Sequence, residues 1–69
     1  GGSRQARVDE LTRIVNKLIA KVKDTGEVIP MKPMSSYERK IVHDIISEAG
    51  LVSESEGEGR DRHIVIKPD

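Results

Sequence analysis

The sequence predicts an α+β fold: a three-stranded antiparallel sheet with two helices packed on one face, in the order α-β-α-β-β. Three observations predict it. Apolar residues recur at helical spacing over residues 4–24 and again over 36–49. A short extended run at 27–32 contains Pro30 and lies between the two helices. Two further β-type runs, 52–56 and 61–67, flank Gly57-Glu58-Gly59-Arg60, and glycines around a short polar loop signal a hairpin.

In the first helix Val8, Leu11, Val15, Leu18, Ile19 and Val22 form one stripe, which is more often a core face than a partner surface. Asp9 and Glu10 toward its start, and Lys21 and Lys23 toward its end, suit the helix dipole, and Gly26 supplies the stop. In the first strand Ile29 and Met31 point inward, while Pro30 confines the strand to an edge. Ser35 and Glu38 have the spacing of a capping box for the second helix, which Gly50 ends with Leu51 folding back on it. Tyr37, Ile41, Val42, Ile45, Ile46 and Ala49 cover the core half of that helix, and Lys40, Asp44, Ser47 and Glu48 the opposite half. In the last strand Arg62, Ile64 and Ile66 share the face toward the helices, and His63, Val65 and Lys67 the other. Placing this Ile- and Val-rich strand in the centre makes every neighbouring pair antiparallel. It leaves proline and glutamates on the edges, where they belong.

Sixty-nine residues make one small domain, over 4–69. Its core is aliphatic, with eight Ile, seven Val and three Leu against a single aromatic residue, Tyr37. Such a core is near the minimum for independent folding. The absence of cysteine excludes a disulfide framework and a thiolate zinc site. No apolar run approaches the ~20 residues of a membrane span, and no signal peptide is present. Gly1-Gly2-Ser3 reads as an expression scar, so a domain cut from a longer cytoplasmic protein is expected. Twelve basic and twelve acidic residues cancel, which removes the broad basic field of many nucleic-acid binders. Any grip on nucleic acid must then be local, weak in isolation and salt-dependent.

The chemistry-bearing candidates are Arg39 and His43, one helical turn apart on the flank beside Ile46. A forked guanidinium and an imidazole donor stacked there could hold a phosphate. On pattern alone the favoured reading is that both are solvated flank residues, with Arg39 paired to a carboxylate. Lys17, Lys21, Lys32 and Lys40 add at most diffuse attraction. With Tyr37 as the only aromatic residue there is no base-stacking platform, so recognition would rest on phosphate and sugar.

Pro33-Met34-Ser35-Ser36-Tyr37-Glu38-Arg39-Lys40-Ile41-Val42-His43, followed by Ser53-Glu54-Ser55-Glu56-Gly57-Glu58-Gly59-Arg60-Asp61-Arg62-His63-Ile64-Val65-Ile66, resembles the R-3-H domain, named for an Arg and a His separated by three residues. The resemblance covers the second half of the chain. It is greatest to the form found in bacterial Jag-type (KhpB-type) RNA-binding proteins, where the domain follows a KH domain. It implies the same fold, a single-stranded RNA or DNA partner bound through its phosphate backbone, and a KH domain in the parent chain. It also implies a site built from Arg39, His43 and Arg62. Arg60 is a weaker candidate, in the loop. Ser55, Gly57 and Gly59 match the family's hairpin pattern, and a plain turn is their simplest role.

Enzyme readings find no support. His43 and His63 lie on different elements with no metal-site spacing, and Ser36, His43 and Asp61 lack a nucleophile's strand-turn-helix setting. No cofactor, metal or membrane partner is expected, and the isolated domain is expected to be monomeric. The rival is a protein-interaction or structural module without nucleic-acid binding. Neutral charge, the acidic hairpin and the heptad-like stripe of the first helix all suit it.

Overall fold

A computed structural model describes residues 2–69; Gly1 lies outside the described residues. The elements are α1 (Gly2–Thr25), β1 (Ile29–Pro30), α2 (Ser36–Glu48), β2 (Val52–Glu56), a 3-10 turn (Gly59–Asp61) and β3 (His63–Lys67). The sheet order is β1-β3-β2 with both pairings antiparallel, as the edge argument requires. Val15, Ile19 and Val22 of α1 and Val42 and Ile46 of α2 are buried together with Met31, Ile64 and Ile66. Leu11, Leu18, Ile29 and Leu51 pack against this cluster from its margins.

Boundaries depart from the sequence expectation where local chemistry overrides periodicity. α1 starts at Gly2, not at Arg4; its first turn carries no acidic residue, and Asp9 and Glu10 lie beyond reach of the dipole's end. β1 is shorter than 27–32 because Pro30 has no N–H to give the ladder. The Met31 amide still bonds the Ile64 carbonyl at 2.8 Å just past it. Tyr37 is 57% exposed, not part of the core face, since it sits in the first turn of α2, ahead of the first buried residue, Val42.

α2 is capped at both ends as the spacing predicts. Glu38 N–H donates to Ser35 Oγ, and the Ser35 N–H and hydroxyl both donate to Glu38 Oε1. At the other end Gly50, at φ +80°, donates to Ser47 O while Leu51 N–H reaches Ile46 O, a Schellman closure. Glu38 also joins the helices, with Arg7 Nε 3.0 Å from its Oε2. The Arg7 bond first, then the bonds from Ser35, hold the Glu38 carboxyl below its ordinary value of 4.5. A depressed folded pKa contributes stability that is present above the unfolded value and lost as pH falls through the folded one. Thermal melts should therefore show stability falling as pH drops below about 4.5, and Glu38→Gln should flatten that part of the profile.

The link from β2 to β3 is tighter than a simple hairpin. Asp61 N–H bonds Glu58 O and Arg62 N–H bonds Gly59 O, closing the 3-10 turn and delaying the strand to His63. Gly57, at φ +86°, lies against this turn so closely that a Cβ would stand 2.7 Å from the Asp61 carbonyl oxygen. Gly57→Ala combines that clash with a left-handed backbone, and should cost about 1–3 kcal/mol in chemical denaturation. An unchanged denaturation midpoint would show that the turn does not need this glycine.

Candidate nucleic-acid interface

The capping box sets where α2 begins and hence where its flank falls. Arg39 and His43 line an open cleft of about 300 Å³ between α2 and β2. Ser36 and Lys40 of the helix, Ser53, Glu54 and Ser55 of the strand, and Ile64 complete the lining. The volume is at the low end for small-ligand pockets, and the open shape suits a chain passing through rather than an enclosed molecule.

The alternation Ser53-Glu54-Ser55-Glu56 sorts chemistry onto two faces of β2. Ser53 and Ser55 lie opposite Ile66 and Ile64, on the helix side; Glu54 and Glu56 lie opposite Val65 and His63, on the far side. Lys67 takes both carboxylates there, with Nζ 2.7 Å from Glu54 and 3.7 Å from Glu56. The bond from Glu54 is the main cause that raises the Lys67 pKa above its ordinary 10.5. The carboxylates of Glu54 and Glu56 are therefore held by Lys67, which offsets part of their charge.

Arg39 is half-buried, and its Nε is buried with no hydrogen-bond partner. Among the described residues no carboxylate forms an ion pair with it. Buried donors are nearly always satisfied, so the Arg39 Nε stands out as a donor without a partner on the cleft wall. His43 is exposed on the same wall, with its Nδ1 hydrogen-bonded to Ser53 Oγ. Guanidinium, ammonium, imidazole and hydroxyl groups thus converge without a free carboxylate between them.

Arg39 and His43 are brought together as the helical spacing predicts. Arg62 caps the 3-10 turn ahead of β3, and Arg60 sits within that turn; both are exposed and neither lines the cleft. His63 is half-buried, its Nδ1 2.8 Å from the Asp61 carbonyl. The sequence assigns no binding role to Ser53, sets Ser36 aside with the rejected triad, and leaves Lys40 as diffuse charge. Period-two phasing of β2, with its glutamates outward, was the available signal for Ser53.

The domain is thus a small α+β fold with an open cleft, bordered by Arg39, Lys40 and His43, between a helix flank and an edge strand. The family model for the R-3-H domain matches residues 9–68, and the chain belongs to that family. It is 39% identical over 66 residues to RNA-binding protein KhpB of Bacillus subtilis (strain 168), covering 91% of this chain and 32% of that protein. It is 33% identical over 64 residues to RNA-binding protein KhpB of Clostridium symbiosum, covering 91% and 29%. It is also 35% identical over 65 residues to sperm-associated antigen 7 of Mus musculus, covering 91% and 29%. The chain thus spans about a third of the length of these relatives.

Proposed function

We propose that this domain binds single-stranded nucleic acid, RNA in particular, through its phosphates and with little base discrimination. The observation that carries the reading is the unpartnered Arg39 Nε in the cleft that His43 also lines, where the one lining glutamate, Glu54, is paired with Lys67. Arg39 supplies the forked donor and His43 a second donor. Arg62, and more weakly Arg60, extend the contact beyond the cleft. The names of the KhpB relatives favour RNA over DNA as the partner. The same reading makes the domain a binding module and not an enzyme, monomeric when isolated, and joined to a KH domain in a longer cytoplasmic protein. The described residues hold no helix long and apolar enough to cross a membrane.

Anisotropy titration of a labelled single-stranded oligouridylate against rising salt tests it. Two phosphates neutralised by Arg39 and Arg62 predict log affinity falling against log salt with a slope of about −1.4, roughly 0.7 for each contact on a single strand. Binding with a slope near zero would contradict a phosphate-based grip. One observation favours the protein-interaction rival: an apolar groove of about 470 Å³ beside α1, lined by Leu11, Ile14, Leu18, Met31 and Met34, with Ile14 45% exposed. Concentration-dependent mass in light scattering, without oligouridylate binding, would select that reading.

A further inference from the structure

We propose that Ser53 is a positioning residue of the cleft: its hydroxyl keeps the Nε2–H of His43 available as a donor to phosphate in both protonation states of the ring. The inference rests on the phosphate-binding reading and adds to it a residue from the opposite wall. With Nδ1 of His43 engaged by Ser53 Oγ, Nε2 is the nitrogen left for a ligand. A hydroxyl can both donate and accept. Facing a neutral imidazole it can donate to a bare Nδ1, which leaves the ring proton free to sit on Nε2 when a phosphate lies there. Facing an imidazolium it accepts from Nδ1–H, and Nε2–H is still present. Nε2 therefore offers a proton to a phosphate in either state, and only the ring's charge changes.

His63 provides the contrast within the same chain. Its Nδ1 lies 2.8 Å from the Asp61 carbonyl, and a carbonyl only accepts. The neutral His63 ring must therefore carry its proton on Nδ1, leaving a bare Nε2 that repels phosphate. A strand slipped by one residue would bring Glu54 against His43 in place of Ser53, holding the ring as a carboxylate-paired cation. The charged groups lining the cleft around His43 are Arg39 and Lys40 from α2 and Glu54 from β2, whose carboxylate is bound by Lys67.

The test combines nitrogen-15 spectra of the free domain and of its oligouridylate complex with oligouridylate binding by wild type, Ser53→Ala, Ser53→Thr and the Ser53→Ala/His43→Ala pair. Spectra of the oligouridylate complex should show neutral His43 protonated on Nε2, and those of the free domain neutral His63 protonated on Nδ1. Ser53→Ala should weaken binding about three- to tenfold near pH 8, the range of one net hydrogen bond. Its deficit should shrink near pH 5.5, where the imidazolium carries both protons whatever faces it. Ser53→Thr should restore binding, and the Ser53→Ala deficit should vanish when His43 is already Ala. Neutral His43 protonated on Nδ1 in the oligouridylate complex would overturn the proposal. So would a Ser53→Ala domain that binds like wild type, or a deficit equal at both pH values and persisting without His43. A wild-type domain that fails to bind oligouridylate at low salt would instead remove the phosphate reading itself, and this proposal with it.

Discussion

Replacing Ile46 with alanine is expected to destabilise the domain by about 2–5 kcal/mol, the range for truncating a fully buried Ile. Ile46 is fully buried and among the largest such side chains in the core. It lies three residues from His43 on α2 and packs in the cluster with Val15, Ile19 and Ile66. A domain of 69 residues has a total stability of about 3–10 kcal/mol, at roughly 0.05–0.15 kcal/mol per residue. The substitution therefore removes a large share of it, lowering the melting temperature by more than about 10 °C. Urea denaturation followed by circular dichroism measures the effect. Ile46→Val should cost only about 0.5–1.5 kcal/mol, since most of the side chain's contacts survive.

Replacing Arg39 with alanine should have the opposite profile. Single-strand affinity should fall about 10- to 100-fold, as expected for losing a charge-assisted hydrogen bond of about 1.5–3 kcal/mol. Stability should stay within about 0.5 kcal/mol or rise, because the side chain removed holds an unpaired buried donor and forms no ion pair among the described residues. A group whose loss harms binding and leaves the fold intact is kept for its ligand. Denaturation and anisotropy on the same preparation separate the effects, and a destabilised Arg39→Ala domain with normal affinity would make Arg39 a structural residue.

The helices were legible because their signals are local. The capping box of Ser35 and Glu38, the glycine stop at Gly50 and the stripe through Val15, Ile19 and Val22 all depend on residues within a turn or two of one another. Sheet order followed from charge and proline, which push Pro30 and the glutamates of β2 to the edges. The link before β3 was less legible. Its 3-10 turn arises from backbone bonds among residues 58–62 and from the close approach of Gly57, neither of which leaves a periodic trace. That turn takes Arg62 out of the strand in which alternation had placed it.

The site was half legible for the same reason. Arg39 and His43 share a helix, so their spacing alone made them neighbours. The far wall comes from β2, where alternation separates serines from glutamates and the pairing register with β3 sets the serines toward the helix. Net charge was a poor guide because it sums over both faces. Lys67 holds the carboxylates of Glu54 and Glu56 on one side of the sheet, while Arg39, Lys40 and His43 border the cleft on the other.

The most direct test of the account is a nitrogen-15 shift-perturbation titration of the domain with a short single-stranded oligouridylate at low salt. The largest shifts are predicted at Arg39, Lys40, His43, Ser53 and Ser55, fading as salt is added. Largest shifts along Leu11, Ile14 and Met34, with the α2–β2 cleft unmoved, would contradict it.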